Sequence, residues 1–121
     1  MTVYWKVQRV AANTASSNSF QFPIEGEKGS KLVAVTMFPP DAGTGPIYAT
    51  ISLGDIRADN VVRLAQGFCR QDGSNLAVDA VHWDGEELID SVAGLPILRG
   101  FANNNTGTNT FLQLNWAISR P

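Results

Sequence analysis

The segment 111–118, Phe-Leu-Gln-Leu-Asn-Trp-Ala-Ile, places a large apolar side chain at every second position. The four residues in that register are Leu112, Leu114, Trp116 and Ile118. Successive side chains of a β-strand point to opposite sides, so this spacing puts one apolar face on a core. A packed helix would need apolar residues three and four apart instead. The segment therefore predicts a half-buried β-strand.

The same period of two returns along most of the chain. It predicts strands at 3–8, 20–24, 31–38, 47–53, 60–69, 76–83 and 95–101, in addition to 111–118. Two short stretches, 56–64 and 85–92, lack the apolar repetition of a packed helix. About eight strands at intervals of roughly ten to fifteen residues are typical of an all-β sandwich or barrel.

Turn-forming residues separate these strands. Pro39–Pro46 breaks regular structure, Gln71–Asn75 and Asp84-Gly85 predict turns, and Glu25–Ser30 predicts a solvated hairpin. We predict one domain, residues 1–121, folded as a two-sheet β-sandwich. Eight strands favour jelly-roll topology over an immunoglobulin-like arrangement. Alternation assigns Trp5, which shares a face with Val3 and Val7, to the core together with Trp116.

Composition excludes several classes of function. The 121 residues are 44% hydrophobic and 17% charged with a net charge of −2, so concentrated positive charge for nucleic-acid binding is absent. We find neither the pattern of a secretory signal nor an apolar run long enough to cross a membrane, the longest being Leu32 to Phe38. We therefore expect neither nucleic acid nor a membrane as a partner.

Reactive side chains are few. A single cysteine, Cys69, excludes an intrachain disulfide and a multi-thiolate zinc site, and a single histidine, His82, excludes the common multi-histidine sites. We expect Cys69 to be a buried, reduced thiol, and we predict no cofactor, no metal site and no enzymatic activity. A calcium site assembled from separate loops stays open. The enzyme alternative uses Cys69, or His82 with Glu86.

Two further predictions concern the surface. Tyr48 and Trp83, with asparagines from the loops, are the candidate glycan contacts of a lectin-like module. Low charge and only three lysines on a β-rich surface favour a protein that is covered by another copy or another protein. The candidate interface residues are Tyr48, Val61, Ile97 and Leu98.

The strands Ile-Tyr-Ala-Thr-Ile-Ser-Leu (47–53) and Phe-Leu-Gln-Leu-Asn-Trp (111–116), in a chain of this size, carry a resemblance. The pattern resembles the small β-sandwich or jelly-roll head-decoration (cement) proteins of tailed bacteriophages. It covers the whole chain without a diagnostic motif, so no functional residue is transferred. Tail, fibre and baseplate β-domains are similar alternatives.

The resemblance implies a non-catalytic virion protein that is made in the host cytoplasm. It implies a homo-oligomer, a trimer at local three-fold positions, that clamps neighbouring copies of the major capsid protein on the capsid surface.

Overall fold

The computed structural model describes residues 2–14, 18–41, 43–57, 60–71, 77–91 and 95–121, with the backbone alone for Thr44, Asn60, Val61, Ala77, Val78 and Ser91. These described ranges form nine β-strands and one short 3₁₀ turn, Ile89–Ser91. The strands are β1 Val3–Ala12, β2 Asn18–Pro23, β3 Lys31–Phe38, β4 Thr44–Asp55, β5 Asn60–Gln71, β6 Ala77–Asp79, β7 Val81–Leu88, β8 Pro96–Asn104 and β9 Thr110–Ser119. The predicted all-β class is confirmed.

The strands form two antiparallel sheets. One has the order β1-β9-β3-β7 and the other β2-β8-β4-β5-β6. The first strand pairs with the last, β2 with β8, β3 with β7 and β4 with β5. A long antiparallel hairpin rolled into two sheets has this pairing, and it is the jelly-roll arrangement. The predicted topology is therefore confirmed, with the short β6 added at one edge.

The core lies between the two sheets. Leu112, Leu114, Trp116 and Ile118 of β9 are at most 3% exposed, as their spacing predicts. The facing sheet contributes the alternate residues of β4, which are Ile47, Ala49, Ile51 and Leu53, all fully buried. Both central strands thus present one apolar face to the other sheet.

β1 corrects the prediction that Trp5 is a core residue. Val10 and Ala12 are the inward-facing residues at its end, at 3% and 0% exposure. The alternate residues Val3, Trp5 and Val7 point outward and are 45%, 57% and 59% exposed. The prediction was wrong because alternation separates two faces of a strand without telling which one meets the other sheet.

Two predicted turns are also wrong. β7 continues through Asp84-Gly85, where the indole of Trp83 lies over Gly85: a Cβ there would lie 2.7 Å from Trp83 Cζ2. Glycine therefore makes room for a ring within a strand. Glu25–Ser30 joins β2 of one sheet to β3 of the other, so it is a crossover between sheets and not a hairpin.

The predicted turn at Gln71–Asn75 lies, after Gln71, outside the described residues. Within the described ranges no helix has the length and hydropathy to span a bilayer.

Candidate functional site

Cys69 is placed in β5 with its side chain in the core. Its thiol is fully buried and donates a hydrogen bond to the carbonyl oxygen of Ile47 at 3.5 Å. Burial, and secondarily the negative charge of Asp79, raise the pKa of Cys69 to about 12. The reactive thiolate is therefore disfavoured at neutral pH, and Cys69 serves as a core residue.

His82 lies on the outer face of the other sheet, and neither Cys69 nor Glu86 is its partner. Its Nδ1 is 2.6 Å from Thr36 Oγ1, and its Nε2 is 2.7 Å from Asp84 Oδ2. Glu86 Oε2 instead pairs with Lys31 Nζ at 3.4 Å.

The order hydroxyl, imidazole, carboxylate is that of a hydrolase triad, but such a site also needs aligned donors for the oxyanion and exclusion of water. The side chains of His82 and Asp84 are 48% and 74% exposed on an open sheet face. Among the described residues no group of three or more His, Cys, Asp or Glu could hold a metal ion. Thr36, His82 and Asp84 thus form a hydrogen-bonded row of side chains on an open sheet face.

An aromatic cluster lies on the outer face of the five-stranded sheet. We call Tyr48, Phe68 and Phe101 the aromatic cluster. The Tyr48 ring is 5.3 Å from Phe68, edge to face, and 6.1 Å from Phe101. Phe68 is 62% exposed, so water reaches most of its ring. Tyr48 and Phe68 are 20 residues apart in the sequence and meet because they are paired across β4 and β5. The cluster could therefore be predicted only from the register of these two strands.

Phe68 also lines a cleft of about 620 Å³ at one end of the sandwich. The loop between β3 and β4 and the loop between β8 and β9 form its walls. The polar side chains that line it are Asp41, Asn105, Thr106, Thr108 and Asn109. An exposed ring beside amide and hydroxyl groups offers one apolar and several polar contacts to a ligand.

The second loop of this cleft is held by a buried asparagine, Asn104, which is 1% exposed. Its Nδ2 donates to the carbonyl oxygens of Ala12 at 2.7 Å and Thr108 at 2.8 Å. Its Oδ1 accepts from the backbone N–H of Thr106 at 2.8 Å and from the Thr106 hydroxyl at 2.7 Å. Both donors and both acceptor positions of the Asn104 amide are therefore used within the fold, and these bonds fix the conformation of the loop between β8 and β9.

The predicted surface residues do not form one site. Tyr48 is half-buried on the outer face of β4, whereas Trp83 packs against the core from β7 of the other sheet. Ile97 and Leu98 are fully buried, so the prediction that they form an exposed interface is wrong: β8 is an interior strand between β2 and β4. Val61 lies in β5, and its side chain is outside the described set.

A second apolar surface follows β1, at the edge of the four-stranded sheet. We call Val3, Trp5 and Val7 the β1 row. These three exposed side chains share the outer face of an edge strand. The guanidinium of Arg9 continues the row and lies 4.1 Å from the centre of the Phe111 ring.

No protein-family model matches the chain, and no curated protein matches it. It is similar to chains in two solved structures of infectious bursal disease virus, from the Gt and Gx strains, with TM-scores of 0.46 and 0.43 and identities of 12% and 11%. The alignments cover 97% and 98% of this chain and 32% and 33% of those chains. The chain thus spans about a third of the length of each viral chain, and similarity at this level assigns neither a family nor a function.

Proposed function

We propose that this chain is a non-catalytic structural protein of a virus particle. In its finer form the proposal is a decoration protein, made in the host cytoplasm, that binds the head shell and bridges capsid subunits. The observation that carries it is the presence of outward-facing apolar side chains at two separate places, Phe68 and the β1 row. Two contact surfaces are what a bridging protein requires.

The character of these surfaces supports binding to protein. Interface centres are enriched in aromatic residues and depleted in charge, and Phe68, Tyr48 and Trp5 fit that composition. Jelly rolls serve as viral capsid domains and as lectin domains, although a fold by itself does not decide function. The resemblance to decoration proteins favours the first use.

The mechanism would be burial of apolar surface across a seam between shell subunits. A contact that buries about 400 Å² of apolar area contributes roughly 10 kcal/mol before the cost of association is subtracted. Repetition over a lattice adds avidity, because neighbouring contacts open together. We assign the shell contact to Phe68, to Pro46 at the beginning of β4 and to the loop that precedes this strand.

Cosedimentation with empty head shells of tailed phages that lack their decoration protein tests the proposal. We expect the native chain to pellet with a shell and to raise the temperature at which that shell opens. Phe68→Asp should lower binding at least tenfold. The matched control is Ile56→Asp, which changes a 55% exposed apolar residue at the opposite end of the β4–β5 pair and should bind as the native chain does. Failure to bind any such shell would refute the decoration role.

A second candidate is a lectin-like module, and the cleft beside Phe68 favours it. Sugars present apolar faces to aromatic rings and hydroxyl groups to amides, and Phe68 with Asn105 and Asn109 offers both. A glycan array, followed by NMR titration of the hits, tests it. Binding that disappears in Phe68→Ala and Asn109→Ala, without any binding to shells, would favour this candidate over the first.

A further inference from the structure

β1 presents an open edge to solvent. It is the outermost strand of its sheet, and in the part of the chain that the structure describes no strand pairs with its other side. Arg120 N–H donates to the carbonyl oxygen of Thr2 at 3.0 Å, in register with the β1·β9 ladder. Hydrogen-bonded pairs alternate in an antiparallel ladder, so the odd residues Val3, Trp5 and Val7 direct their N–H and C=O groups to the open side.

The other described sheet edges carry features that discourage pairing. β7 places four ionisable side chains along its edge, His82, Asp84, Glu86 and Glu87. β2 has six residues and ends in Pro23, and β6 has three residues. Charges, proline and short length all protect an edge from association. β1 has ten residues, and three neighbouring side chains on its exposed outer face, Val3, Trp5 and Val7, are apolar.

We propose that a second copy of this chain occupies this edge, with β1 antiparallel to β1 across a two-fold axis at Trp5. In this register Trp5 lies opposite Trp5 of the second copy, and Val3 lies opposite Val7. A two-fold contact must be self-complementary. The segment 3–7, Val-Tyr-Trp-Lys-Val, meets that condition because its apolar spacing is the same from either end.

Backbone direction limits the axis to a residue position, and the side chains then select Trp5 among these registers. An axis at Lys6 would oppose two lysines, which destabilises a cross-strand pair, whereas the axis at Trp5 places Lys6 opposite Tyr4. An axis at Val7 would place Trp5 opposite Arg9, whose guanidinium already lies over Phe111. An axis between two residues would set odd residues against even ones, whereas an axis on a residue sets odd against odd, so that the groups that point to the open side bond to each other.

The contact joins two four-stranded sheets into one continuous sheet of eight strands. Its apolar part is small: the exposed part of Trp5 amounts to roughly 100 Å². Stable interfaces bury about 800 Å² per partner, so we expect a weak dimer. This inference uses the β1 row, on which the proposed virion role also draws, but its test is separate: the dimer forms without a shell or a glycan, and shell binding is tested at Phe68.

Sedimentation equilibrium from about 1 μM to about 1 mM tests the pairing. We expect the native chain to pass from monomer to dimer. Trp5→Lys and Trp5→Glu should each weaken dimerisation at least tenfold, because each opposes two like charges. An equimolar mixture of these two variants should restore dimers, since position 5 of one copy then faces the opposite charge at position 5 of the other.

The register has its own test at the flanking positions. Val3→Lys, Val3→Glu and Val7→Glu, each alone, place a charge opposite an apolar side chain and should weaken dimerisation. A mixture of Val3→Lys with Val7→Glu should restore dimers, because position 3 of one copy faces position 7 of the other, whereas a mixture of Val3→Lys with Val3→Glu should not. Phe68→Lys changes an aromatic residue of the other sheet that is 62% exposed, against 57% for Trp5, and should dimerise as the native chain does. Thermal unfolding of each variant checks that it is folded. Four results would each overturn the pairing. The native chain could stay monomeric throughout or form a trimer, the Trp5→Lys variant could dimerise normally, or the mixtures of oppositely charged variants could fail to restore dimers.

Discussion

At the scale of single residues, Cys69 shows how position in the sandwich determines chemistry. A thiol in the core has exchanged water for apolar neighbours and one carbonyl oxygen, so its ionised form is strongly disfavoured. The folded protein therefore holds the Cys69 proton more tightly than the unfolded chain does.

This difference predicts a dependence of stability on pH. The pKa of Cys69 is raised to about 12 in the folded state and is about 8.5 in an unfolded chain. The contribution of the neutral Cys69 thiol to the free energy of unfolding is fully present below about pH 8.5. It is lost as pH rises toward about 12, by at most about 1.4 kcal/mol per pH unit. Urea unfolding from pH 7 to pH 10.5 should show the stability gap between the native chain and Cys69→Ala narrowing above pH 9. A gap that stays constant would contradict this.

Gly100 provides a steric prediction at the same scale. A Cβ at this position would overlap the carbonyl oxygen of Thr50 on the neighbouring strand and lie 2.8 Å from Phe20 Cζ. Backbone cannot move aside cheaply in an interior strand, so Gly100→Ala should cost at least about 3 kcal/mol in the free energy of unfolding. Gly45→Ala is the control. Its Cβ would meet only the Thr106 side chain, so its cost should stay below about 1 kcal/mol.

At the scale of elements, the sequence predicts strands well and their surroundings poorly. Trp5 and Trp116 occur in equally regular alternation, yet one is 57% and the other 3% exposed. The difference arises because Trp5 lies on the outer face of β1 and Trp116 on the inner face of β9, and which face meets the other sheet depends on pairing between distant segments. The aromatic cluster was missed for the same reason, since Tyr48 and Phe68 meet only through the β4–β5 register.

The loop between β8 and β9 yields a prediction about one element. Asn104→Ala removes two donated and two accepted hydrogen bonds and leaves polar groups that the side chain had satisfied. We expect a loss of about 2 to 3 kcal/mol in the free energy of unfolding, measured by urea titration. Asn105→Ala, at an exposed position of the same loop, should change stability by less than about 0.5 kcal/mol. Equal losses in the two variants would contradict the assignment.

At the scale of the whole molecule, composition and topology have to be combined. A charged fraction of 17% favours a covered surface, but only the sheet order shows that the β1 row lies on an open edge and that Phe68 lies on the opposite sheet. The virion role and the head-shell partner stay predictions, because a contact surface specifies the chemistry of its partner and leaves the identity of that partner open.

Topology also predicts how the chain folds. Pairing of β1 with β9 closes nearly the full length of the chain, and folds rich in such distant pairs form slowly. The ends are adjacent, with Arg120 N and Thr2 O 3.0 Å apart. A circular permutant that links the two ends and opens between Gly26 and Glu27 makes β1·β9 a local hairpin. Stopped-flow tryptophan fluorescence should show at least tenfold faster folding, whereas an unchanged rate would contradict a late β1·β9 pairing.

Because β9 lies between β1 and β3 in the sheet, β1 cannot pair with its neighbour until β9 has been synthesised. β1 leaves the ribosome on the order of 100 residues before β9 does. At roughly 5 to 20 residues per second, it spends on the order of 5 to 20 s without the strand that it pairs with. During that time both of its edges are open, and neighbouring nascent chains on one messenger expose the same segment. We therefore expect exposed β1 segments of neighbouring nascent chains to pair with each other, so that the yield of folded protein falls as ribosomes crowd on the message.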